Sequence, residues 1–294
     1  MTQGCFICPR ECGVKRELGE IGVCGQSDKM LVSRIALHPF EEPPISGTKG
    51  SGTVFFCGCS LGCVFCQNKD ISRSGAIGEE ISPMELADKM LGLEKSGAHN
   101  INLVTAAHFV PNVAEALRIA RASLRIPVVY NSSGYEKVET LKLLDGLVDV
   151  YMPDFKYFSP NLAKKYSNAP DYAEVATAAL GEMYRQVGEC VFDENGLLLR
   201  GMIVRHLVLP SSREDSKSVL RHLASILPTD KILLSLMNQY TPDFALDCEH
   251  KELHRRLTSF EYSSVADVAL ELGFDGFFQK RSSATKKFTP DFDK

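Results

Sequence analysis

From Thr53 onward the chain alternates short apolar runs with amphipathic stretches. TVFF (53–56), INLVT (101–105), PVVYN (127–131), VDVYMPD (148–154), GMIVRHLVLP (201–210) and KILLSLM (231–237) read as strands. Between them lie helical patterns. In SPMELADKMLGLEKSG, Ser82 is placed as an N-cap, Pro83 falls in the first turn and Gly97 marks the end. Further helices are expected from Pro111 to Arg125, over YEKVETLKLLDG (135–146), through a long region ending near Gly188, over SREDSKSVLRHLASIL (212–227) and over YSSVADVALELG (262–273). Six strand-then-helix units in succession imply parallel strands with crossover helices. The predicted fold is α/β, and six units rather than eight indicate an open barrel or a curved sheet. Ligands of parallel β/α sheets sit at the carboxyl ends of the strands. The residues to watch therefore follow the apolar runs: the cysteines after Phe56, then Thr105, Asn131 to Gly134, Asp154 with Lys156, and Asn238.

The first fifty residues have a different texture. They are rich in Cys, Gly and Pro and end in the punctuated run HPFEEPPISGTKGSG (38–52). The expected organisation is a Cys-rich metal-binding segment at 1–50 followed by the barrel at 51–294. With 44% hydrophobic and 24% charged residues the composition is that of an ordinary globular protein. A net charge of −4 gives no attraction to nucleic acid or to an anionic membrane surface. The start, MTQGCFICPREC, lacks the apolar core of a signal peptide, and no run reaches the ~20 apolar residues of a membrane span. A cytoplasmic location is expected.

That location makes the ten cysteines informative, because the cytosol keeps thiols reduced. Cys5, Cys8, Cys12 and Cys24 crowd one end, and Cys57, Cys59, Cys63 and Cys66 fill one short window. Gaps of two or three residues are metal spacing rather than disulfide spacing. Cys190 and Cys248 stand alone and read as small buried hydrophobes. Cys59-Ser-Leu-Gly-Cys63-Val-Phe-Cys66 has the form C-x3-C-x2-C directly after the first predicted strand. Three thiolates so spaced can wrap one face of a cubane cluster and leave its fourth iron for an exchangeable ligand. Structural zinc wants four ligands, and no fourth Cys or His follows at ordinary knuckle distance. Cys57 would break the spacing and reads as a strand-end residue.

This motif, with Phe65 before its last cysteine, resembles the signature of radical S-adenosylmethionine (SAM) enzymes, whose fold is typically a partial (β/α)6 barrel. The resemblance implies a [4Fe–4S] cluster on Cys59, Cys63 and Cys66 that chelates SAM and cleaves it reductively to a 5′-deoxyadenosyl radical, with hydrogen abstraction from a substrate. It also implies an electron donor such as flavodoxin or ferredoxin. Several segments further resemble the glycyl-radical-enzyme activases, in the pyruvate formate-lyase activating enzyme-like branch. These are SGTKGSGTVFFCGCSLGCVFCQN, NSSGY (131–135), PDFKY (153–157) and VRHLVLP (204–210). The SAM contacts implied fall on Thr105, Asn131, Ser133, Asp154, Lys156 and Arg205. Lys156 or Arg205 would neutralise the carboxylate, and Asp154, Asn131 or Ser133 would take hydroxyl groups. The branch carries a G-G-E-type motif after its second strand, where this chain has Thr105-Ala-Ala-His108. Thr105 can accept a hydrogen bond there but brings no charge, and His108 either compensates, faces substrate or is solvated.

The set Cys5, Cys8, Cys12 and Cys24, with glycines that permit tight knuckles, suits a structural zinc or an auxiliary iron–sulfur cluster. His38 lies beyond it and reads as a turn residue. Three functions remain open at this level. One is an activase acting on a glycine of a partner protein. Another is a radical enzyme acting on a different peptide or a small molecule. The third is a non-catalytic iron–sulfur electron-transfer protein, which has no use for an open iron.

Overall fold

All six apolar runs form strands in the computed structural model, which describes residues 4–72, 78–279 and 292. The described strands are β1 (Leu31–His38), β2 (Ser51–Phe56), β3 (Glu79–Glu80), β4 (Ile101–Val104), β5 (Val128–Ser132), β6 (Val150–Pro153), β7 (Val191–Phe192), β8 (Leu198–Leu207), β9 (Leu233–Met237) and β10 (Gly276–Phe278). Their order across the sheet is β10-β9-β8-β6-β5-β4-β2-β1-β3, with β7 beside β8. From β2 to β10 every neighbour on this path is parallel. The sheet has two ends, as an open barrel requires. At one of them β1 runs antiparallel to β2.

The helices are α1 (Pro43–Ser46), α2 (Lys69–Ser72), α3 (Pro83–Lys95), α4 (Val110–Ala120), α5 (Val138–Leu141), α6 (Pro160–Ser167), α7 (Tyr172–Val187), α8 (Arg213–Ile226) and α9 (Ser259–Glu271). The Ser82 cap is present as a reciprocal capping box. The Glu85 N–H donates to Ser82 Oγ at 3.2 Å, and the Ser82 N–H donates to Glu85 Oε2 at 2.8 Å. Such a cap is worth about 1 kcal/mol. The long helical region near 160–188 is two helices, because Asn168 turns into the left-handed region (φ 47°) just before Pro170.

Strand alternation sorts the core into two layers. Leu103, Tyr130, Tyr151, Val204 and Leu234 face the helices and join the main core. Val129, Val150, Met152 and Ile203 face the other way and close around Ile45 of α1, which is fully buried. Asn100 Nδ2 donates to the Ile45 carbonyl at 2.7 Å and fixes that plug. Burying a side chain of this size contributes about 1.5–3 kcal/mol. The Cys-rich element expected at 1–50 is thus not set apart over its whole length. Residues 31–46 supply β1, which lies between β2 and β3, and an interior plug, while residues 4–30 contain no regular element beyond one 3-10 turn at Arg16–Leu18.

Candidate active site

Pro43, at the start of the helix that carries the plug, lines a cavity of about 670 Å³ that collects the carboxyl ends of the parallel strands. Cys59, Cys63 and Cys66 after β2, Thr105 after β4, Asn131 and Ser133 at the end of β5, Asp154 and Lys156 after β6, and Arg205 on β8 all line it. Every residue singled out from the sequence for the cluster or for SAM therefore shares one cavity. Cys5, Cys8, Cys12 and Cys24 do not line it.

The cysteine loop is anchored at several points. The Gly58 N–H donates to the Ile71 carbonyl at 2.9 Å and the Cys59 N–H to the Cys24 carbonyl at 3.1 Å. Phe65 is buried between Tyr157, Tyr166 and Tyr240, with ring centroids 6.1–6.4 Å away in edge-on geometry. Each sulfur meets a donor: the Leu61 N–H at 3.4 Å from Cys59 Sγ, Ser167 Oγ at 3.1 Å from Cys63 Sγ and Ser72 Oγ at 3.4 Å from Cys66 Sγ. Burial and the neighbouring thiols push the Cys59 thiol up to about 12 and raise Cys66 as well. Three thiolates packed this closely repel one another unless a cationic core offsets their charge, and a hydrogen bond to each sulfur is what a ligating thiolate accepts. The donor set fits an iron–sulfur cluster. Cys57 is fully buried but does not line the cavity. Its sulfur lies 2.6 Å from where a Cβ on Gly78 would stand, and burial raises its thiol to about 11.

Facing the cysteines is an ionic network. Asp154 Oδ2 pairs with Lys156 Nζ at 2.6 Å and Oδ1 with Arg205 Nε at 2.9 Å. Arg205 Nη2 also donates to Asn131 Oδ1 at 2.6 Å. Burial opposes the Asp154 carboxylate, but Arg205 and Lys156 outweigh it and hold its pKa below the ordinary value. Burial likewise works against the Lys156 ammonium, and the Asp154 carboxylate more than restores it. The Tyr172 hydroxyl clamps the two strand ends, bridging the carbonyls of Ser133 (2.7 Å) and Asp154 (3.0 Å) and accepting the Lys156 N–H at 2.9 Å. Gly134 is required at this crossing, since φ is +76° and a Cβ would lie 2.2 Å from the Asp154 carbonyl oxygen. Thr105 also sits in the left-handed region at φ 61°, an uncommon state for a β-branched residue.

Three expectations change. Asn238 does not line the cavity, and its N–H donates to Gln279 Oε1 at 3.0 Å; its neighbours Met237, Gln239 and Tyr240 line it instead. His108 neither compensates for the lost charge nor meets solvent. It is buried behind the cysteine loop with Nε2 2.7 Å from the Cys57 carbonyl, and burial brings its pKa down to about 4. His38 is the last residue of β1 and lines the cavity edge-on to Phe40 and Phe55.

Two acids escaped the sequence reading. Glu41 and Glu42 line the cavity from the strap between β1 and α1. Glu41 accepts from Asn102 Nδ2 at 2.9 Å and stands 3.7 Å from Arg205, and burial lifts its pKa to about 7. Glu42 Oε2 is buried without a hydrogen-bond partner among the described residues. The signal available in the sequence was an acidic pair held between prolines in HPFEEPP.

Comparison with known proteins adds three findings. Residues 53–187 match the Radical SAM superfamily. An uncharacterized protein of Methanocaldococcus jannaschii is 29% identical over 283 residues, covering 93% of this chain and 76% of that protein. Methylornithine synthase is similar in structure at a TM-score of 0.48 and 16% identity, over 72% of this chain and 59% of its own, less than two thirds of its length.

Proposed function

We propose, from the match of residues 53–187 to the Radical SAM superfamily, that the chain is a radical SAM enzyme whose cluster ligands are Cys59, Cys63 and Cys66. The carrying observation is that these three thiols and the Asp154–Lys156–Arg205 network line the same cavity. When bound, a [4Fe–4S] cluster with SAM supplies an electron and a cleavable sulfonium, the source of a 5′-deoxyadenosyl radical. The protein's residues position and enclose these groups. Lys156, anchored on Asp154, offers its remaining donors to the SAM carboxylate, and Asn131, Ser133 and Thr105 offer oxygens to its hydroxyl and amino groups. Glu42, with its unmatched oxygen, restores the negative charge that Thr105 lacks. Phe55, Phe65, Tyr240 and Phe244 supply an apolar wall that keeps out water and competing hydrogen donors.

Reconstitution with iron and sulfide under anaerobic conditions, followed by reduction with SAM present, tests this reading. 5′-Deoxyadenosine and methionine are expected in equal amounts. A protein that takes up the cluster and leaves SAM intact would sink it.

For the substrate we favour a backbone glycine of a partner protein, on the resemblance of NSSGY, PDFKY and VRHLVLP to the activases. Deuterium transfer from a deuterated glycine residue of such a partner into 5′-deoxyadenosine is the expected result. Transfer from a small molecule alone would assign the chemistry elsewhere.

A further inference from the structure

Residues 4–30 invert the usual pattern of burial. Phe6, Leu18, Ile21 and Val23 are 50–65% exposed, whereas Cys8 and Cys24 are 7% exposed. Ordering a backbone costs conformational entropy, and beyond one 3-10 turn this segment has no helix or strand to offset it. Its cysteines are where it converges. The Cys5 N–H donates to the Val14 carbonyl at 2.9 Å and the Gly13 N–H returns to the Cys5 carbonyl at 3.0 Å, closing one loop around Cys8 and Cys12. A second turn, with the Gly25 N–H on the Gly22 carbonyl at 2.9 Å, carries Cys24. Gly22 lies between the two: a Cβ there would stand 3.2 Å from Cys12 Sγ and 3.6 Å from Cys24 Sγ. Cys5 and Cys24 both act on the Cys8 thiol, and Cys5 acts on that of Cys12.

This knot is fastened to the active-site loop. The Cys24 carbonyl accepts the Cys59 N–H at 3.1 Å, and the approach is so close that a Cβ on Gly58 would lie 2.6 Å from that carbonyl oxygen. Arg10 Nε donates to the Ser60 carbonyl at 2.8 Å, and its Nη2 donates to the carbonyl of Ser167, whose hydroxyl meets Cys63 Sγ. We propose that Cys5, Cys8, Cys12 and Cys24 form a second, thiolate-bound metal site and that it braces the loop carrying Cys59. Four thiolates on metal, whether one zinc ion or an iron–sulfur cluster, supply the ordering energy the segment lacks, since metal binding at such a site is itself folding free energy.

The inference goes beyond the proposed function, and its test does not depend on SAM cleavage. Iron, sulfide and zinc are measured in the full chain purified anaerobically, and again in a variant carrying Cys59→Ala, Cys63→Ala and Cys66→Ala together. The wild-type chain should hold, beyond about four irons with their sulfide, either one zinc or about four more irons, and the variant should keep only that second portion. About four irons with no zinc in the wild type overturns the site. Should the triple variant fail to fold, Cys12→Ser in the otherwise native chain decides the matter. It should lose the zinc or the second portion of iron, and an unchanged metal content overturns the proposal.

Discussion

Cys59, Cys63 and Cys66 leave a strand whose six residues are all buried, whereas Cys5, Cys8, Cys12 and Cys24 sit in a segment whose large apolar side chains face solvent. The first set is positioned by the barrel. Gly58, Phe65, Ser72 and Ser167 hold its loop, and the cavity it faces is assembled from strand ends. The second has no such frame, and its segment holds no regular element beyond one 3-10 turn. A packed core can present ligands to a metal, and a chain too short for a core can be organised by the metal instead.

The largest expected effect separates the cysteines within the first set. Alanine at Cys59, Cys63 or Cys66 should abolish SAM cleavage, while Cys57→Ala should leave it in place, as measured by 5′-deoxyadenosine production. Loss of cleavage on changing Cys57, with activity kept on changing Cys59, would reverse the ligand assignment.

Next comes the core that only the barrel possesses. Ile45→Ala empties the interior plug and should cost about 2–5 kcal/mol in denaturant unfolding. A cost near zero would show that the strap from β1 to α1 does not close the barrel.

The barrel also buries an acid. Glu136 is 2% exposed beside Tyr130, Tyr151, Ser132 and Cys8, and burial raises its pKa to about 8 although Ser132 and Tyr130 oppose the shift. The folded chain then keeps a proton that the unfolded chain releases above the ordinary glutamate range. Its contribution to stability is full below about pH 4.5 and is lost as pH rises through about 8. Glu136→Gln should flatten that decline, by a few kcal/mol at most. An identical pH profile in the variant would mean that the carboxyl ionises as it does in water.

Lys156→Ala should leave the cluster intact and weaken SAM binding by about ten- to hundredfold, since a buried charge-assisted hydrogen bond contributes about 1.5–3 kcal/mol. Titration followed by the cluster's electron paramagnetic resonance signal reads this directly. Unchanged affinity would confine Lys156 to its pair with Asp154.

The smallest effect belongs to the N-terminal segment. Ile21→Ala removes a side chain that is 59% exposed and should change stability by no more than about 0.5 kcal/mol. A loss comparable to that of Ile45→Ala would reveal a hidden core there and erase the contrast.

Much of the barrel is written locally. Apolar runs of four to ten residues, the Ser82–Glu85 capping box and the C-x3-C-x2-C spacing are patterns within one element or one turn, and each appears in the structure where its residues stand. The short strands β3, β7 and β10 escaped because two or three residues carry no periodicity, and β1 because it is half exposed. Parallel topology followed from the alternation of strand and helix, since the crossover leaves no other arrangement.

What required the tertiary structure are the relations between residues far apart in the chain. Arg205 reaches Asp154 and Asn131 across 51 and 74 positions, and no local pattern joins the three. Glu41 and Glu42 read as a punctuated linker until Ile45 enters the barrel and carries them into the cavity. His108 follows a strand that points to the ligand side, yet the chain turns at Thr105 and buries the ring behind the cysteine loop. Alternation and capping act over a few residues, so the order of amino acids specifies them. Burial, charge compensation and the union of Cys24 with Cys59 arise only when separate elements share the same space.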